Sequence, residues 1–326
     1  MFVGHGLLAF ALAAAAAYLW GWSGERALAL GVLAGAFGLA PDVDILYAPV
    51  GVLGASGPLD AAAEFWQAGN RIHRSVTHSL LVGAAASLAA GWWATGRREV
   101  RLGAVTLLAA LVAVALVVTG PLGAVALAAF ATTCLGLARV GRVRLGIGPL
   151  AVAAAAAVGT LTHPFGDLFT GEPPALLYPL DVTVLAERVA LAPDPTLHLL
   201  GALFAELATA WLAAFVLVWL RDDALSSPLA APPAVGRLTR RIDRRAGVGV
   251  GYAGAAALLP APTLEVSYHF VFPLLGVGLV VAGVAAVREV RATPNDWPGL
   301  ERAALSGLAA VTLAAGAYTG AYLLLG

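Results

Sequence analysis

Lysine is absent from this chain: all nineteen of its cationic residues are arginine. In a sequence dominated by Ala, Gly, Val and Leu, that reads as the bias of a GC-rich genome and not as chemistry. Cysteine is nearly absent. A single Cys134, set in an apolar run, excludes intrachain disulfides and thiolate metal sites. Charge is scarce as well: only 12% of residues are charged, and nineteen acids balance the arginines to a net charge of zero. No global basic field exists for nucleic acid, which is therefore not expected as a partner. At 60% hydrophobic residues and a mean hydropathy of +0.86, the composition also excludes an ordinary soluble domain. No basic stretch precedes the first apolar run, so that run is expected to persist as a membrane helix and not to be cleaved as a signal peptide. There is no internal repeat of fixed period.

What the chain has in quantity is apolar sequence. Runs long enough to cross, or nearly cross, a bilayer recur at 6–22, 26–40, 79–95, 102–119, 121–138, 145–162, 197–220, 246–260, 268–287 and 303–325. The expected fold is all-α, a polytopic helical membrane protein of about ten (8–10) transmembrane helices embedded in the lipid bilayer. The runs at 26–40 and 246–260 are the weakest of the set. Residues 1–196 read as one membrane domain with outer loops at 41–78, including a short helix at 59–67, and at 163–196. Residues 197–326 read as additional transmembrane helices with an arginine-rich cytoplasmic loop at 221–245.

Arginine placement orients this layout. With ten helices and the N-terminus outside, Arg26, Arg97, Arg98, Arg101, Arg139, Arg142, Arg144, Arg221, Arg288, Arg291, Arg302 and the cluster from Arg237 to Arg245 share one side. Sixteen of the nineteen arginines thus lie together, and only Arg71, Arg74 and Arg188 lie opposite. Positive loops face the cytoplasm, so a multi-pass protein of the plasma or inner membrane is expected. Trp20, Trp22, Trp92, Trp93, Trp211 and Trp219 near span ends read as interface anchors.

Against this background stand three polar islands, all on the arginine-poor face, with His5 ahead of them. They are Asp42 and Asp44 in Pro41-Asp42-Val43-Asp44, His73 and His78 in His73-Arg74-Ser75-Val76-Thr77-His78-Ser79, and His163 and Asp167 in His163-Pro164-Phe165-Gly166-Asp167. Each borders an apolar run, and ionisable groups beside a membrane are costly to keep and usually mark function. His163 and Asp167, four apart, share a helix face, and Pro164 is expected to open a short new helix. Asp42 and Asp44 aim the same way if their stretch is extended. His73 and His78 converge only if His73 lies in the loop and His78 opens the next span. His198 and His269 fall near the same level but read as packing residues, as does Glu206.

Imidazole and carboxylate without thiolate suit Zn²⁺, with Mn²⁺ or Fe²⁺ as alternatives. Seven donors suit two ions, or one ion with a well-furnished outer shell. A divalent metal with an open position makes hydroxide available, Asp44 or Asp167 takes a proton, and Arg74 stabilises an anionic transition state. Hydrolysis is the natural reaction class. The competing readings are a non-enzymatic metal-binding membrane protein (sensor, assembly factor or transporter) and a metal-free scaffold. Translocation is disfavoured because the spans hold few polar donors.

At these same residues the chain resembles the YdjM-type family of membrane-bound, metal-dependent hydrolases. The resemblance rests on His5-Gly6, Pro-Asp-x-Asp at 41–44 and His-Arg-x-x-Thr-His-Ser at 73–79. It continues with His-x-x-x-Asp-x-x-Thr-Gly at 163–171 and the prolines Pro174 and Pro179, and covers about residues 1–180. It implies a metal-dependent hydrolase with His5, Asp42, Asp44, His73, His78, His163 and Asp167 as metal-site candidates. Arg74, Thr77 and Ser79 would then be supporting or substrate-contacting residues. The order of motifs is also similar to that of zinc-dependent phospholipase C and related nucleases, which suggests a phosphoester substrate, while a site at the outer headgroup level would meet a lipid substrate by lateral diffusion.

Overall fold

A computed structural model describes residues 2–57, 60, 61, 64, 65, 68, 73–221, 231–292 and 298–325. Among these residues every regular element is helical and none is a strand. The chain divides into two compact units, Met1–Arg188 and Val189–Gly326.

The first unit contains α1 (Phe2–Leu19), α2 (Gly24–Leu39), a 3-10 segment (Pro41–Gly54), α3 (Leu80–Ala94), α4 (Arg98–Val118), α5 (Pro121–Val143) and α6 (Pro149–Gly166), then a 3-10 turn (Asp167–Phe169). Local chemistry sets the helix starts. Pro121 and Pro149 open α5 and α6, where a missing N–H costs nothing. Ser79 caps α3 by accepting from the N–H groups of Leu81 and Val82. Small residues then let the helices close on one another. A methyl group on Gly38 of α2 would lie 2.9 Å from the His5 carbonyl oxygen, and one on Gly159 of α6 would lie 2.6 Å from the Gly38 nitrogen. Packing this close brings the N-terminal end of α1 and the C-terminal ends of α2 and α6 to one level.

The second unit contains α7 (Pro195–Arg221), α8 (Ala231–Arg240), a 3-10 segment (Arg244–Gly254), the short α9 (Ala255–Leu258), α10 (Tyr268–Ala292) and α11 (Pro298–Leu325). Leu200, Leu207, Phe270, Leu274 and Tyr318 form its core. Tyr322 donates to Asp194 at 3.2 Å just before one end of α7, and Arg221 pairs with Glu301 at 3.4 Å at the other. α7 and α11 are therefore antiparallel.

Among the described residues, six stretches are long and apolar enough to cross a membrane: Gly24–Gly54, Arg98–Val118, Pro121–Val143, Pro195–Arg221, Tyr268–Arg288 and Gly299–Leu325. Val3–Leu19 and Leu80–Ala94 are shorter apolar helices. The protein is a multi-pass membrane protein, all-helical among the described residues, with six such stretches where about ten (8–10) spans were expected. Three expectations need correction. Residues 246–260 do not form a membrane-length α-helix, because Gly247, Gly249, Gly251 and Gly254 punctuate the run and each disfavours α-helix by about 1 kcal/mol. The stretch 221–245 is not all loop, since Ala231–Arg240 is helical; its residues 222–230 lie outside the described set. Pro164 does not open a new helix, because α6 runs through it to Gly166. Of the short helix expected at 59–67, the described residues 60, 61, 64 and 65 are helical. Arg71 lies outside the described residues.

Candidate metal centre

The four motif-bearing segments meet at one end of the first unit. His5 arrives on the first turn of α1, Asp42 and Asp44 on the 3-10 turns after α2, His73 and His78 on the turns before α3, and His163 and Asp167 at the end of α6. All seven sequence-predicted candidates come together. His5, Asp44, His78, His163 and Asp167 are buried, whereas Asp42 and His73 are partly exposed and mark the side on which the cluster opens.

Asp42 and Asp44 do not lie in extended backbone, as the alternation suggested. In a 3-10 helix, residues two apart point about 240° apart, and the two carboxylates do different work. Asp42 faces the centre: its Oδ1 is 3.4 Å from His163 Nε2 and 3.6 Å from His78 Nε2. Asp44 lies behind the imidazoles. Its Oδ1 accepts from His73 Nδ1 at 2.9 Å and its Oδ2 accepts from Thr77 Oγ1 at 2.7 Å.

These contacts fix where the imidazole protons lie. His163 Nδ1 is 2.6 Å from the Gly38 carbonyl oxygen, which only accepts, so Nδ1 carries the hydrogen and Nε2 of the neutral ring is bare. Thr77 gives its own hydrogen to Asp44, so its oxygen accepts from His78 Nδ1 at 2.9 Å, which leaves His78 Nε2 to face the centre as well. The two Nε2 atoms stand 3.0 Å apart. Two nitrogens that close share either a proton or a metal ion. Asp167 Oδ2 completes the ring, 3.2 Å from His78 Nε2 and 3.7 Å from His163 Nε2.

The spacing fits a small divalent ion. Nitrogen and oxygen donors bonded to a tetrahedral ion at about 2.0–2.2 Å lie about 3.3–3.6 Å from one another. The five contacts among His78, His163, Asp42 and Asp167 span 3.0 to 3.7 Å. The donors also divide into two groups of three, His5 with His163 and Asp167, and Asp42 with His73 and His78, each of which could hold a metal ion. His5 joins through Asp167 Oδ1 at 3.3 Å and stacks on His163 with ring centroids 3.9 Å apart. The rings of His73 and His78 are 4.9 Å apart.

Without a metal, protons take its place. Burial opposes a charge on His78, yet the carboxylates of Asp167, Asp42 and Asp44 outweigh it and raise its pKa from 6.5 to about 9. Burial would raise the Asp167 carboxyl, but hydrogen bonding with His5 and His78 and the Arg74 guanidinium hold it well below the usual carboxylate range.

Several contributors were not singled out from sequence. The Gly38 carbonyl orients His163, and a backbone acceptor leaves no mark in residue type. Thr170 accepts from Arg74 Nη2 at 3.0 Å, and Thr160 and Ser87 pair at 3.2 Å between α6 and α3 beneath the centre. Ser79, which the sequence did single out, donates to the Tyr178 carbonyl at 2.7 Å while capping α3, which ties the segment after the centre to the one before α3. His198 and His269 are engaged within the second unit: His198 Nδ1 accepts from the Leu191 N–H at 3.0 Å, and His269 Nε2 donates to the Pro260 carbonyl at 2.9 Å.

No curated protein and no solved structure matches the chain significantly. A family model described as YdjM inner membrane protein matches residues 1–222, beyond the 180 or so residues over which the motifs run and across every residue of the His/Asp centre. With more than half of its length matched, centre included, the chain belongs to the YdjM inner membrane protein family.

Proposed function

We propose that this protein is a membrane-embedded, metal-dependent hydrolase acting on a lipid or phosphoester at the extracytoplasmic face. The observation that carries the reading is the convergence of two imidazole nitrogens, His78 Nε2 and His163 Nε2, 3.0 Å apart and ringed by Asp42 and Asp167. His5, Asp42, His73, His78, His163 and Asp167 would hold the ion. Imidazole and carboxylate donors without thiolate favour Zn²⁺, with Mn²⁺ and Fe²⁺ as alternatives. A divalent ion bound there supplies Lewis acidity and makes hydroxide available near neutral pH.

The chain's own residues prepare for that chemistry. Asp44, directly and through Thr77, keeps the Nδ1 hydrogens of His73 and His78 in place and so turns both Nε2 atoms toward the ion. Three-donor groups leave a position open, as hydrolytic sites require and closed structural sites do not. The partly exposed side at Asp42 and His73 gives a substrate its approach. A centre at the ends of membrane helices meets lipids by lateral diffusion, which favours a lipid-borne ester.

Metal content of the detergent-purified chain, prepared without chelator, is the first test. One or two equivalents of zinc, manganese or iron are expected, absent from a His73→Ala/His78→Ala double variant. Hydrolysis of phospholipid or phosphodiester substrates should then be abolished in His78→Ala and in Asp167→Asn, with membrane insertion intact. Full activity in both variants would sink the assignment, and bound metal without turnover of any ester would leave a metal-binding protein.

A further inference from the structure

Among the described residues Arg74 is the cation paired with the centre, and in a hydrolase such a residue is usually assigned to the anionic transition state. Its hydrogen-bond accounting points elsewhere. A guanidinium has five N–H groups, four of them on the two terminal nitrogens. Nη1 donates to the Asp167 carbonyl oxygen at 3.4 Å and to the Glu172 carbonyl oxygen at 3.2 Å. Nη2 donates to Thr170 Oγ1 at 3.0 Å and pairs with Asp167 Oδ1 at 3.2 Å. Four acceptors on residues 167–172 thus face the two terminal nitrogens.

The backbone is arranged for the same purpose. Arg74 has φ 69°, left-handed for a residue with a side chain, a conformation that persists only where the surroundings enforce it. The Arg74 carbonyl accepts from the Ala175 N–H at 2.8 Å, so the 167–175 turn holds both ends of the residue. Gly171, at φ 72°, makes room: a methyl group there would lie 2.6 Å from Arg74 Nη1.

We propose that Arg74 is a positioning residue whose guanidinium locks the Asp167 carboxylate into the metal centre, with Thr170 and Gly171 completing the lock. This rests on the metal reading above. Fixing Asp167 Oδ1 leaves Oδ2 turned toward His78 and His163, and partners of this outer kind are typically worth about 10–100-fold in metal affinity.

The test is titration of the metal-stripped full chain in detergent with Co²⁺, which reports donor geometry in its visible spectrum. Arg74→Ala and Gly171→Ala are expected to bind Co²⁺ about 10–100-fold more weakly than wild type, with an altered spectrum. Gly171→Ala is the sharper variant, because it removes no chemical group from the site. Thr170→Val, which deletes one contact in the lock, should show a smaller loss in the same direction and covers the case in which Arg74→Ala fails to fold. Wild-type affinity and spectrum in all three, with weakened inhibition by inorganic phosphate in Arg74→Ala alone, would overturn the proposal and make Arg74 a substrate contact. Failure of wild type to bind Co²⁺ or Zn²⁺ at all would overturn the metal reading itself and this inference with it.

Discussion

At the scale of single residues, carboxylates of one motif divide their labour by backbone geometry. Asp42 is aimed into the centre, while both oxygens of Asp44 are engaged by His73 and Thr77. Asp44→Asn can no longer accept at both oxygens, so the ring of His73 or of His78 loses its orientation. Metal affinity, measured by competition with a chromophoric chelator, should fall about 10–100-fold, while stoichiometry at saturation stays that of wild type. Loss of all bound metal in Asp44→Asn would instead make Asp44 a direct ligand. Thr77→Val should weaken binding as well, and Thr77→Ser, which restores the hydroxyl relay, should recover it. Residue types in the sequence were enough to nominate all seven residues of the cluster, because His and Asp stand out in an apolar chain. They were not enough to rank them: whether Asp44 lies in front of the imidazoles or behind them depends on the 3-10 path of residues 41–54, which alternation in the sequence misrepresented as extended.

At the scale of elements, the centre depends on how closely α6 can lie against α2. His163 reaches the Gly38 carbonyl at 2.6 Å only because Gly159, one turn earlier, has no side chain to hold the helices apart. Gly159→Ala would force a methyl group to within 2.6 Å of the Gly38 nitrogen and the Phe37 Cβ. It should destabilise the protein by about 1–3 kcal/mol, seen as a lower thermal denaturation midpoint in detergent, and should weaken metal binding along with it. Gly136→Ala in α5 is the matched control: nothing lies within 4 Å of the added methyl group, so helix propensity alone acts and stability should hold or rise. Equal loss in both variants would mean that the contact at Gly159 is not special. The same logic explains the segment after α8. Hydropathy suggested a transmembrane helix at 246–260, yet alternate glycines yield 3-10 turns packed on α11, where a methyl group on Gly249 would collide with the Ala310 carbonyl. Hydropathy reports burial in apolar surroundings and is blind to helix type.

For the whole molecule, the arginines bear on which way it faces. Within the first unit, the turns bearing Arg97, Arg98, Arg139 and Arg142 lie at the helix ends opposite those that carry the His/Asp centre, since α3 and α6 each have the centre at one terminus and arginines near the other. Within the second, Arg221 and Arg241 both pair with Glu301 at the end of α11 away from Tyr322 and Asp194. The 3-10 segment and α9 run beside α11 between those ends, from the Asp243 N–H bonded to Ser306 to Tyr252 against Tyr318, so the chain travels the length of α11 there without a long α-helix. Such a path keeps the arginine clusters of 221–245 and 288–302 at one end, as the alternation of ten runs had them, although only six stretches have the length and composition of a spanning helix. If arginine-rich ends face the cytoplasm, the centre faces outward. Cys134 is buried and gives a low labelling background, so single cysteines can report sidedness directly. Gly57→Cys should react with a membrane-impermeant maleimide on intact cells, and Ser226→Cys only after permeabilisation. Reaction of Gly57→Cys only after permeabilisation would reverse the argument: the centre would then open on the cytoplasmic side, and an outer-leaflet lipid could not be its substrate.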